Sequence, residues 1–140
     1  MEILFVDDEP YFAGKYVDEL RKSHSIHFLN RASEVIPFLE ENTSVDCVVL
    51  DIMMPGGGLH AAGDSALGLD TGLLLLEEMR NLGRWPFPVV ILTNRKPKAI
   101  LAEISQKRIP MHLIPVHQKI HTSPNEFDLI LEGHVKNFRP

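Results

Sequence analysis

Five short stretches of the sequence are apolar almost from end to end: Ile3-Leu4-Phe5-Val6, Ile26-His27-Phe28-Leu29, Cys47-Val48-Val49-Leu50, Val89-Val90-Ile91-Leu92 and His112-Leu113-Ile114. A strand with one wet face alternates apolar and polar residues. A run without alternation fits a strand covered on both faces, as in a parallel sheet. Between the runs, apolar residues recur at helical spacing. Phe12, Tyr16, Val17 and Leu20 line one face of a first helix; Val35, Ile36 and Leu39 mark a second, with Pro37 near its start or kinking it; Leu75, Leu76, Met79 and Leu82 mark a third. Residues 97 to 107 read as a weaker fourth helix, opened by Pro97 and carrying Ile100, Leu101 and Ile104. The last helix has the clearest start, with Ser123 as N-cap, Pro124 at the first helical position and Glu126 closing a capping box, followed by Phe127, Ile130, Leu131 and Phe138. Strand and helix alternate five times, which predicts a doubly wound α/β domain.

A chain of 140 residues suits one domain with a real core. Its net charge of -5 and the lack of a dense Lys/Arg block argue against direct nucleic-acid binding; the short basic patch Arg95 to Lys98 reads as a solvated helix start. No stretch is apolar for long enough to span a membrane, and Glu2 and Asp7 argue against a secretory signal, so a cytoplasmic protein is expected. The lone cysteine, Cys47, sits inside a strand run and reads as a buried, inert thiol.

Right-handed crossovers put the C-terminal ends of all five strands on one edge, where open α/β sheets bind their ligands. The first strand delivers Asp7, Asp8 and Glu9 there, the third Asp51, the fourth Thr93 and Asn94, and Lys119 follows the fifth. Two carboxylates about 4 Å apart repel by roughly 4 kcal/mol at an effective dielectric near 20, so such a cluster must hold protons or a cation. Oxygen ligands at an open edge suit Mg²⁺, which keeps waters and takes a phosphate oxygen. An aspartate beside that ion can act as nucleophile toward a phosphoryl group and become an aspartyl phosphate. A lysine and a hydroxyl would then meet the charge of a loose transition state.

The motifs "ILFVDDEP", "VDCVVLDIMMP", "TG" opening a leucine-rich helix and "VVILTN" occur here in order. Together they resemble the receiver domain of two-component response regulators, over essentially the whole chain. The resemblance implies a flavodoxin-like (βα)5 fold, a parallel sheet in the order 2-1-3-4-5 with helices on both faces, and one receiver domain over residues 1–140. It assigns Asp51 as phosphoacceptor, Asp8 as direct metal ligand, Asp7 as a ligand through water, and Met53 as donor of a backbone carbonyl to the metal. Thr93 matches the hydroxyl that bonds the phosphoryl group and Lys119 the lysine that pairs with it. It further implies Mg²⁺, with Mn²⁺ as a substitute, and a histidine kinase or phosphotransfer protein as phosphodonor. The expected product is a signalling switch acting on a downstream protein, not an enzyme on other molecules, and either monomeric or weakly dimeric when phosphorylated. The final helix nearly exhausts the sequence, so it either acts by binding a partner or belongs to a longer chain.

Several positions depart from the family pattern. Ile120 stands where a cis-bonded proline usually follows the lysine; Val116, with His117 beside it, replaces the usual aromatic of the fifth strand; Asn94 replaces a small residue; and the path from Thr93 to Lys119 is longer. These gather on the fourth helix and fifth strand, which points to an unusual readout, with a phosphorylation-independent interaction module as the alternative function. Met53 and Arg95 flank the path of attacking water, and an apolar Met53 predicts slow self-dephosphorylation. Residues 56–70 form a Gly/Ala-rich insertion between the third strand and third helix, read as a disordered segment or a lid at the rim of Asp51. His112, His117 and His121 read as surface or packing residues rather than a zinc site; a reach of His60 and Asp64 from the insertion to the metal at the acidic cluster is the minor reading of those two. Tyr11 and Trp85 read as packing residues, and Glu9 as a helix-start charge. A phosphatase with an aspartate nucleophile would place Asp-x-Asp after the first strand, and a flavin site would place Gly, Ser or Thr there. Neither pattern is present.

Overall fold

A computed structural model of the chain describes residues 1–51, 71–94, 97–106 and 113–139, apart from the side chains of Phe12, Thr71, Pro97, Ala99 and Glu103. The elements alternate as the hydrophobic runs require. Strand β1 (Glu2–Val6) leads to α1 (Pro10–Leu20), β2 (Ser25–Leu29), α2 (Val35–Glu41), β3 (Cys47–Leu50), α3 (Thr71–Arg80), β4 (Val89–Thr93), α4 (Pro97–Gln106), β5 (Val116–Gln118) and α5 (Pro124–Lys136). All pairings are parallel, and the strands lie in the order β2-β1-β3-β4-β5.

The apolar runs are continuous because each strand feeds two cores. Leu4, Val6, Val48, Leu50, Val89 and Ile91 face a core built with Val35 and Leu39 of α2, Leu75, Leu76 and Met79 of α3, and Ile100 and Ile104 of α4. The alternate residues Ile3, Phe5, Cys47, Val49, Val90 and Leu92 face Ala13, Tyr16, Val17 and Leu20 of α1 and Phe127 and Leu131 of α5. Helices therefore cover both faces. Burial pushes the Cys47 thiol up to about 12, so it is inert packing.

Chain reversals are tied by polar groups. The Ser123 hydroxyl accepts from the Glu126 N–H at 3.3 Å, capping α5. The Arg84 guanidinium donates to the carbonyls of Asn42 and Val45 at 3.1 and 2.6 Å, joining the turn after α3 to the one before β3. His24 Nε2 lies 2.7 Å from Asp128 Oδ1 and 3.5 Å from Glu132 Oε1, clasping the α1–β2 turn onto α5.

Two expectations need correction. The fifth strand is Val116–Gln118, not residues 112–114. Leu113 and Ile114 are buried in the core before the strand begins, and the Pro115 carbonyl accepts from the Ile91 N–H at 2.9 Å where pairing starts. Their hydrophobicity reports burial, whereas the ladder with β4 defines the strand. Tyr11, expected to pack, is instead 89% exposed; Trp85 does pack on the core. Leu82 reaches that core from just beyond α3. No helix among the described residues is long and apolar enough to cross a membrane. The 56–70 insertion, with His60 and Asp64, lies outside the described residues, as do Met53, Arg95 and His112.

Candidate functional site

The site is built from strand ends. The Asp7 N–H bonds the Leu29 carbonyl at 3.1 Å and the Asp51 N–H the Val6 carbonyl at 3.0 Å, so the ladders run one step past β1 and β3 and set the two aspartates side by side. Both are buried. Asp7 Oδ1 accepts from the Glu9 N–H at 2.9 Å, which turns the chain into α1 and leaves Oδ2 directed to the site. Oxygen atoms of Asp7, Asp8 and Asp51 lie within 4.8 Å of one another. Lys119, only 7% exposed, reaches in from beyond β5, its Nζ 2.7 Å from Asp7 Oδ2 and 3.3 Å from Asp51 Oδ2. Thr93, buried at the end of β4, lies in register with Gln118.

Electrostatics follow from this crowding. Burial would lower the Lys119 pKa, but the Asp51 charge, the Asp7 hydrogen bond and the Asp7 charge outweigh it and raise it overall. Asp8 is raised chiefly by burial, then by the charges of Asp7 and Glu9. Its Oδ1 is buried without a hydrogen-bond partner among the described residues. Among the described residues, three carboxylates thus gather around the Lys119 ammonium, and Asp8 Oδ1 has no donor. Clustered carboxylate oxygens, one of them buried without a described donor, fit a hard divalent cation such as Mg²⁺.

No family model matches the chain, and no curated protein does. Solved structures do. The receiver domain of the Francisella response regulator 1452 superposes with a TM-score of 0.72 at 19% identity, covering 99% of this chain and 98% of that one. The BeF3-activated N-terminal receiver domain of Klebsiella pneumoniae RstA gives 0.71 at 21%, covering 98% and 100%. A receiver domain from Clostridium thermocellum gives 0.69 at 17%, covering 96% and 94%. This chain has the receiver fold.

Within that receiver fold, Asp7, Asp8, Asp51 and Lys119 come together as the motifs anticipate. Met53 lies outside the described residues. Among those residues the cis peptide bond is Trp85–Pro86, so Lys119–Ile120 is trans and opens a 3-10 turn over Lys119–His121. His117 lies on β5, its pKa lowered by burial against the opposing pull of Glu126, while His121 sits in the turn.

One residue at this site escaped the sequence reading. The Tyr16 hydroxyl, fully buried on α1, lies 2.8 Å from the Lys119 carbonyl and 2.7 Å from the Thr122 carbonyl. Its phenol pKa is raised by burial, with Lys119 opposing. The available signal was a hydroxyl on an otherwise apolar helix stripe, since a buried tyrosine needs a partner for its polar tip.

Proposed function

We propose that this receiver accepts a phosphoryl group on Asp51 from a histidine kinase or phosphotransfer protein and thereby switches binding to a downstream protein in the cytoplasm. The observation that carries the reading is the Asp8 oxygen, buried without a partner among the described residues, in a cluster of three carboxylates into which Lys119 reaches. Asp7, Asp8 and Asp51 would hold Mg²⁺, or Mn²⁺ in its place, with the Met53 carbonyl as a further donor. Such an ion neutralises charge between the carboxylate and the incoming phosphate.

In the reaction, an Asp51 oxygen attacks phosphorus as the phosphorus–nitrogen bond of the donor phosphohistidine breaks. The electron pair of that bond stays with the imidazole. Lys119 shifts its pairing from the Asp51 carboxylate to a phosphoryl oxygen, and the Thr93 hydroxyl donates to another. Asp7 keeps its Glu9 N–H bond throughout, which holds the floor of the site still. The chain is then the acceptor in its own modification, with no turnover of other substrates.

The test is Mg²⁺-dependent binding of beryllofluoride, a phosphoryl mimic, followed by heteronuclear NMR. Wild type should bind and Asp51→Asn should not. A wild type that ignores beryllofluoride while still capturing its partner would replace this reading with the phosphorylation-independent interaction module.

A further inference from the structure

The ammonium of Lys119 is aimed by backbone anchored on both sides of it. Upstream, Gln118 pairs in register with Thr93, and its side-chain amide donates to the Asn94 carbonyl at 3.1 Å. Downstream, the chain leaves the sheet in the Lys119–His121 turn. There the Tyr16 hydroxyl reaches across from α1 to the Lys119 and Thr122 carbonyls. A phenol carries one proton, so both carbonyls converge on a single donor, and the two ends of the turn are pinned to one point of the helix. The Thr122 hydroxyl closes the same turn by donating to the Gln118 carbonyl at 3.0 Å. Tyr16 is itself fully buried, its ring edge-on to Phe127 at a centroid distance of 5.7 Å.

Lysine has a long, freely rotating stem, and its tip stays between two carboxylates only if its backbone is fixed. Ile120, the next residue, is 72% exposed, so its side chain packs too little to hold the turn. We propose that Tyr16 is a positioning residue for phosphoryl acceptance. Its hydroxyl fixes the turn that carries Lys119 and so places the ammonium between Asp7 and Asp51. Tyr16 touches neither substrate nor metal and acts through Lys119 alone. This rests on the phosphoacceptor reading above.

The test is a double-mutant cycle on the whole chain with Tyr16→Phe, Lys119→Met and the combined variant. The phenylalanine keeps the ring against Phe127 and removes only the hydroxyl. Beryllofluoride and Mg²⁺ affinities are measured separately, with a thermal melt of each protein. Tyr16→Phe should weaken beryllofluoride binding about tenfold, as loss of an orienting outer-shell hydrogen bond does. In the Lys119→Met background it should change that affinity by less than about twofold. Mg²⁺ affinity should not fall, because a loosened ammonium competes less for Asp7 and Asp51. Equal loss in both backgrounds, or loss of both ligands in step with the melting temperature, would make Tyr16 a packing residue and overturn the proposal. An unchanged beryllofluoride affinity in Tyr16→Phe overturns it too. A wild type that binds no beryllofluoride removes the phosphoacceptor reading and this inference with it, whereas an additive cycle removes this inference alone.

Discussion

Asp8 pulls against the stability of its own fold. Burial and the neighbouring charges of Asp7 and Glu9 raise its pKa above the ordinary 3.8. A carboxyl with a raised folded pKa favours the folded state only while protonated. That contribution is full below the unfolded value and is lost as pH rises through the folded one, so at neutral pH ionised Asp8 is a liability unless a cation meets it. Asp8→Asn should therefore raise the melting temperature by a few degrees in EDTA, as relief of functional-site repulsion does. Mg²⁺ should raise the wild-type melting temperature and leave the variant unmoved; paired melts with and without the ion check both. A second residue-scale prediction concerns Met53, whose apolar side chain has nothing with which to orient water. The aspartyl phosphate should be long-lived, and Met53→Asn should shorten its life about tenfold, less than the ~10²-fold low end for positioned proton-transfer groups because an amide only orients the water. Radiolabel decay reads this directly; decay within seconds, unaltered in the variant, would count against it. The acidic pair, Asp51 and Lys119 could be read from motif order alone. Tyr16 could not, because its partners are backbone carbonyls 103 and 106 residues away.

At the scale of elements, legibility followed packing. Helices α1, α3 and α5 carry apolar residues at the spacing that buries one stripe, and their buried sets include the residues anticipated: Val17 and Leu20, Leu75 and Met79, Phe127 and Leu131. The α5 cap was equally legible, and Ser123→Ala should destabilise the domain by about 1 kcal/mol in a denaturant titration. Strand β5 was misplaced for a physical reason. Among the described residues it lies at the sheet edge and pairs with β4 alone, and it exposes part of Val116, His117 and Gln118, so hydrophobicity does not announce it. The apolar residues just before it, Leu113 and Ile114, fill the core while making a turn.

For the whole molecule, the described residues by themselves supply a core on either side of the sheet, and the glycines of the 56–70 insertion disfavour stable helix or strand there. Deleting residues 57 to 69 should leave the melting temperature within a few degrees of wild type. Phosphotransfer and partner binding measured on the same variant then show whether the insertion acts at the site: unchanged values make it decoration, and a loss of either assigns it a role. The fold class, the two-faced sheet and the identity of the acidic cluster follow from the sequence by itself. Continuous apolar runs have only one way to be covered on both faces, and strand ends have only one edge on which to meet. The edge strand, the trans path after Lys119 and the reach of Tyr16 to that turn were decided by tertiary structure. Each depends on which backbone groups distant in sequence find one another, and a backbone carbonyl has the same chemistry at every position in the chain.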